Sequence, residues 1–116
     1  MAMRKVAINT CCGAFSLSHK AFLRLRELGQ REALDEPDTG KYWPTACGPK
    51  DPSLNTFGAR IPRDDRSLIQ VLEELGMEAN GHCAQLKIVE IPLEIQWEVE
   101  GVHGVEWVSE THRRWA

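Results

Sequence analysis

The chain has 116 residues, enough for one domain around one core. Its 42% hydrophobic and 27% charged content is that of an ordinary globular chain, and a formal charge of −3 excludes the basic excess of a general nucleic-acid binder. No apolar run approaches the ~20 residues of a membrane-spanning helix, and no signal peptide is expected because the N-terminus turns polar at Asn9.

Residues 4–10 read as a strand, with Val6, Ala7 and Ile8 at its centre. A turn follows that holds Cys11, Cys12 and Gly13. It leads to Ser18, a residue suited to cap a helix. Leu17 and Phe22 have the spacing of a hydrophobic staple. Ala21, Phe22, Leu25 and Leu28 recur at helical spacing, which predicts a helix over 18–28 that Gly29 stops.

Residues 30–62 lose all periodicity and hold five of the six prolines. They read as a long irregular connection, anchored by Tyr42, Trp43 and Phe57. Asp38-Thr39-Gly40-Lys41 reads as a turn, because it lacks the glycine pattern of a phosphate loop. Asp64 or Asp65 then caps a second helix, predicted over 65–79. Leu68, Leu72, Leu75 and Ala79 form its apolar stripe, and Asn80-Gly81 ends it.

The last third reads as strands over 85–91, 94–100 and 105–111. Ile95, Trp97 and Val99 alternate with Gln96, Glu98 and Glu100, and Gly101-Val102-His103-Gly104 turns the chain back. The order is β-α-loop-α-β-β-β. The fold expected is α+β: a small, largely antiparallel four-stranded sheet with two helices on one face. Four tryptophans and an open sheet face favour a homodimer.

The four cysteines are Cys11, Cys12, Cys47 and Cys83. Without a secretion signal they are expected as reduced thiols. They lack zinc-ligand spacing, so no metal and no cofactor is expected.

Three blocks carry a resemblance. The first is Ile8-Asn9-Thr10-Cys11-Cys12-Gly13-Ala14-Phe15-Ser16-Leu17-Ser18. The second runs from Asp65 to Gly76. The third runs from Ala79-Asn80-Gly81 through Leu86-Lys87-Ile88-Val89-Glu90-Ile91-Pro92 to Trp97-Glu98-Val99-Glu100, Glu106-Trp107-Val108 and His112-Arg113-Arg114-Trp115. Together they resemble a family of small, mostly uncharacterised proteins of tailed bacteriophages and prophages. Cys12-Gly13-Ala14 departs from the aromatic-Gly-Gly usual there. The resemblance implies a phage accessory protein in the cytoplasm of an infected bacterium, acting on a host factor.

The residues themselves suggest a binding site at the first turn. Backbone N–H groups at a helix start attract anions. Asn9, Cys11, Gly13, Ser16 and Ser18, joined by Trp107, Arg113 and Arg114, are therefore the expected contacts of a small anionic ligand such as a nucleotide derivative. Two alternatives stand beside this. An acidic hairpin of Glu98, Glu100, Glu106 and Glu110 could meet a basic protein surface. A hydrolase or transferase could use Cys11 or Cys12 with His112 as base. Each candidate also has a plainer role. The cysteines pack, the serines cap, the tryptophans fill a core or subunit contact, and His19, His82 and His103 lie on the surface.

Overall fold

The computed structural model describes residues 3–11, 13–38 and 57–110. They form strand β1 (Met3–Asn9), helix α1 (His19–Glu27), helix α2 (Arg31–Asp35), helix α3 (Arg66–Leu75) with a 3₁₀ turn at Gly76–Ala79, and strands β2 (Leu86–Pro92), β3 (Trp97–Val102) and β4 (Val105–Glu110). The fold is α+β. No helix among the described residues is long and apolar enough to cross a membrane.

β1 is central because it is buried on both faces. Ala7 joins Leu86 and Ile88 of β2 in the core shared with α1 and α3. Val6 and Ile8 point to the other side and are buried too. On that side Arg4 lies over the Trp97 ring at 5.8 Å, and β4 packs against β1. A strand covered twice reads as a short continuous apolar run, which is what 6–8 is.

Ser18 caps α1 by accepting from the Ala21 N–H, and its own hydroxyl donates to the Glu78 carbonyl at 2.7 Å. Leu17 and Phe22, the staple pair, are both buried. Phe22 stacks on Phe57 with ring centroids 4.2 Å apart, so Phe57 does anchor the long connection. Gly29 takes φ +77° and ends the first helix, as glycine does most cheaply. Ser18→Ala is expected to lower stability by about 1–2 kcal/mol, since it removes the cap and the bond to Glu78 together. Urea unfolding checks this; an unchanged midpoint would contradict the cap.

Four expectations are corrected. The helix over 65–79 ends at Leu75, because Gly76 takes φ 57° and the chain tightens into a 3₁₀ turn. Of the two residues expected as its cap, Asp65 takes the role and accepts from the Leu68 N–H. The connection holds α2, capped by the Gln30 side chain; five residues are too few to show a period. Tyr42 and Trp43 lie outside the described residues. His19 is buried, 2.8 Å from Asp38, with its ring against Phe22 and Phe57.

The fourth correction concerns the sheet. The strands form two antiparallel pairs, β1-β2 and β3-β4, and not one sheet of four. The reason lies on the free edge of β1. Its Ala7 N–H donates to the Arg63 carbonyl, and its Asn9 N–H donates to the Glu106 carboxylate. Those partners occupy the edge, so β4 lies along β1 without a backbone ladder. The hairpin itself closes through His103 and Gly104, both at positive φ, the geometry of a two-residue type I′ turn. Its first strand begins at Trp97 because Leu93–Ile95 is spent turning the chain, with the Ile95 N–H donating to the Pro92 carbonyl.

Candidate functional site

Asn9 is fully buried, and every polar atom of its side chain is used. Nδ2 shares its two hydrogens among three carbonyls: Gly13 at 2.6 Å, Gly104 at 2.8 Å and Cys11 at 3.0 Å. Oδ1 accepts from the Gln85 N–H at 2.9 Å and the Cys11 N–H at 3.3 Å. One amide thus ties the 11–13 turn, the 85 loop and the hairpin turn together. Gly13 is required there for space. A Cβ would stand 2.1 Å from the Cys83 carbonyl oxygen. The glycine admits another piece of this chain.

The start of α1 is closed by the protein as well. Ser18 N–H donates to the Ala79 carbonyl, and Gly81 N–H donates to the Ser16 carbonyl. Leu17 bridges to both Phe57 and Asn80. Ser16 and Ser18 are both buried. Of the donors expected to face an anion, the Leu17 and Ser18 N–H groups are taken by the Phe57 and Ala79 carbonyls. Cys11 is half-buried and Cys83 exposed, both as free thiols. Cys12, Cys47, His112, Arg113 and Arg114 lie outside the described residues.

Next to Asn9 sits a cluster that sequence reasoning missed. Glu106 receives the Asn9 N–H at 2.8 Å and grips Arg63 end-on, with Nη1 to Oε1 at 2.6 Å and Nη2 to Oε2 at 2.9 Å. Arg63 also donates from Nη1 to the Ala7 carbonyl at 3.3 Å and stacks over the Phe15 ring at 3.7 Å. Burial would raise the Glu106 carboxyl. The Arg63 guanidinium and the Asn9 N–H outweigh that and hold it below the ordinary carboxylate value. The sequence carried one signal for this. Glu106 stands opposite Gly101 in the hairpin register, on the same face as Trp97, where an inward charge needs a cation.

Between this cluster and the hairpin turn lies a cavity of about 460 Å³, lined by Ala14, Phe15, Ala59, Arg63, Gly101, Gly104 and Glu106. The opposite face of the hairpin carries Glu98, Glu100, Val102, Val105, Trp107 and Ser109, which the register places side by side. Trp107 is 43% exposed, Val105 42% and Val102 57%. Trp107 is thus turned away from Asn9 and from the cavity. Among the described residues no group of His, Cys, Asp or Glu is arranged to hold a metal.

Compared with protein-family models, curated proteins and solved structures, the chain matches none. The fold and the site thus define a small α+β protein with a polar hub, a cavity and a projecting apolar face.

Proposed function

We propose that this chain is a small non-catalytic accessory protein of phage origin that binds a host protein and inhibits or sequesters it. It does so through the outward face of the β3-β4 hairpin. The observation that carries the reading is the exposed triangle of Trp107, Val105 and Val102 flanked by Glu98 and Glu100. Three large apolar side chains in contact register on a monomer's surface mark a contact face. Tryptophan is the commonest anchor of such faces. The two carboxylates beside it select a partner with basic groups around an apolar pocket. Ser109 donates to Glu100 and fixes that carboxylate on the same face.

Two copies meeting through this face would bring their carboxylates together, so the homodimer expected from the sequence would use another surface. The cysteine-enzyme alternative pairs Cys11 or Cys12 with His112, and Cys12 and His112 lie outside the described residues. An anion at the start of α1 loses the Leu17 and Ser18 N–H groups, which donate to the Phe57 and Ala79 carbonyls.

The test is capture from a host lysate, followed by titration of the purified captured protein. Trp107→Ala is expected to weaken binding by about 2 kcal/mol, roughly 30-fold, with the fold intact. Glu98→Lys with Glu100→Lys is expected to slow association and remove its salt dependence. A partner whose affinity ignores both variants would overturn the reading.

A further inference from the structure

The cavity beside Arg63 has a feature that the hairpin face does not explain. A guanidinium presents two bidentate edges and one outer hydrogen. Glu106 takes the end-on edge, one hydrogen from each Nη. The Ala7 carbonyl takes the outer hydrogen of Nη1. What remains is the Nε–Nη2 edge, two parallel donors, and it has no acceptor among the described residues. Arg63 is only 20% exposed and lines the cavity. Donors so placed ordinarily have a partner.

The charge on Arg63 is already balanced by Glu106. A second carboxylate or a phosphate would leave the cluster with a net negative charge beside a buried carboxylate. The edge therefore asks for acceptors, not for charge. The remaining walls are Ala14, Ala59, Gly101 and Gly104, small residues that leave a slot, with the Phe15 ring behind the guanidinium. About 460 Å³ suits one small planar molecule.

A neutral planar ring with two acceptors side by side on one edge meets all of these conditions. The O6/N7 edge of guanine is the common case, and arginine reads it bidentately. Adenine puts a donor at the corresponding position and faces a donor on the edge. We infer that the cavity between Phe15, Arg63 and the hairpin turn binds a guanine-type base through the Nε–Nη2 edge of Arg63. This site is separate from the protein-binding face, and either can fail without the other.

The experiment is a titration of the intact protein with guanosine, followed by NMR at the amides of Ala59, Gly101 and Gly104. Guanosine and inosine are expected to bind alike, since both carry O6 and N7. Adenosine and 7-deazaguanosine are expected to bind at least tenfold more weakly, each lacking one acceptor of the pair. Sodium acetate and inorganic phosphate are expected to leave the amides unmoved. Arg63→Lys should abolish guanosine binding. Because Arg63 also supports the fold, Ala59→Trp serves as the second variant: it fills the slot, leaves the Arg63–Glu106 pair in place, and should abolish binding with an unchanged melt. Absence of guanosine binding, equal binding of 7-deazaguanosine, or displacement of guanosine by acetate would each overturn the assignment.

Discussion

Asn9→Ala is expected to destabilise the protein by about 4 kcal/mol, a large part of the roughly 5–15 kcal/mol that holds a domain of this kind folded. The side chain removed is fully buried and serves five backbone groups. A water entering the space left would recover only part of these bonds. A lost bond of this kind costs on the order of 1 kcal/mol, and an orphaned buried group more. The groups orphaned belong to three separate loops, so their relaxation would separate the 11–13 turn from the hairpin. Asn9→Asp refines the argument. It keeps the acceptor for Gln85 but turns an oxygen toward the carbonyls of Gly13, Gly104 and Cys11. It should therefore be no better than alanine at neutral pH and should recover partly in acid, where the protonated carboxyl donates again. Denaturant unfolding of the three proteins measures this. A cost below about 1 kcal/mol for alanine would show that the loops hold without the amide.

The same residue shows what the sequence could and could not convey. Asn9 and Gly13 stood out as unusual residues between a strand and a helix, and that turn is indeed where three loops meet. Their spacing could not reveal what they meet. The partners lie at Cys83, Gln85 and Gly104, 70 or more positions away, and no local pattern records such distances. The periodic elements were legible because each buries one face: α1 through Phe22 and Leu25, α3 through Leu68 and Leu72. The hairpin was legible from its alternation. Its attachment was not, because it depends on one residue, Glu106, that breaks the outward series of Glu98 and Glu100. Arg63 was hidden for another reason. It directly follows a proline-rich stretch without period, where burial leaves no mark on neighbouring residues.

Hence the four strands do not fuse into one sheet. Pairing β4 with β1 would need the Ala7 and Asn9 N–H groups, and both are already committed to Arg63 and Glu106. A carboxylate on the edge ends a sheet as surely as a proline does, and unlike a proline it holds the next element in place. The hairpin's inner face carries Trp97 and Glu106 toward β1, leaving Trp107 free on the other.

That arrangement makes Glu106 the second position of large effect. Glu106→Ala is expected to cost about 3 kcal/mol, because it strands the Arg63 charge in a largely buried place and leaves the Asn9 N–H without its acceptor. Arg63→Met combined with Glu106→Leu should cost less than Glu106→Ala alone, since no charge is then left unpaired. The pair also sets a pH dependence. The folded carboxyl lies below its ordinary value of 4.5, so its contribution is complete above that value and is lost as pH falls through the folded one. Glu36 works in the opposite sense. Burial raises its carboxyl despite the Gly58 N–H, so it favours the folded state at low pH and loses that contribution as pH rises. Glu106→Gln removes only the first of these dependences. It should be less stable than the natural protein at pH 7, and the gap should narrow below pH ~4.5 as the natural carboxyl takes up its proton. Chemical denaturation across that range decides it. A gap that stays constant with pH would mean that Glu106 holds the hairpin by shape and not by charge.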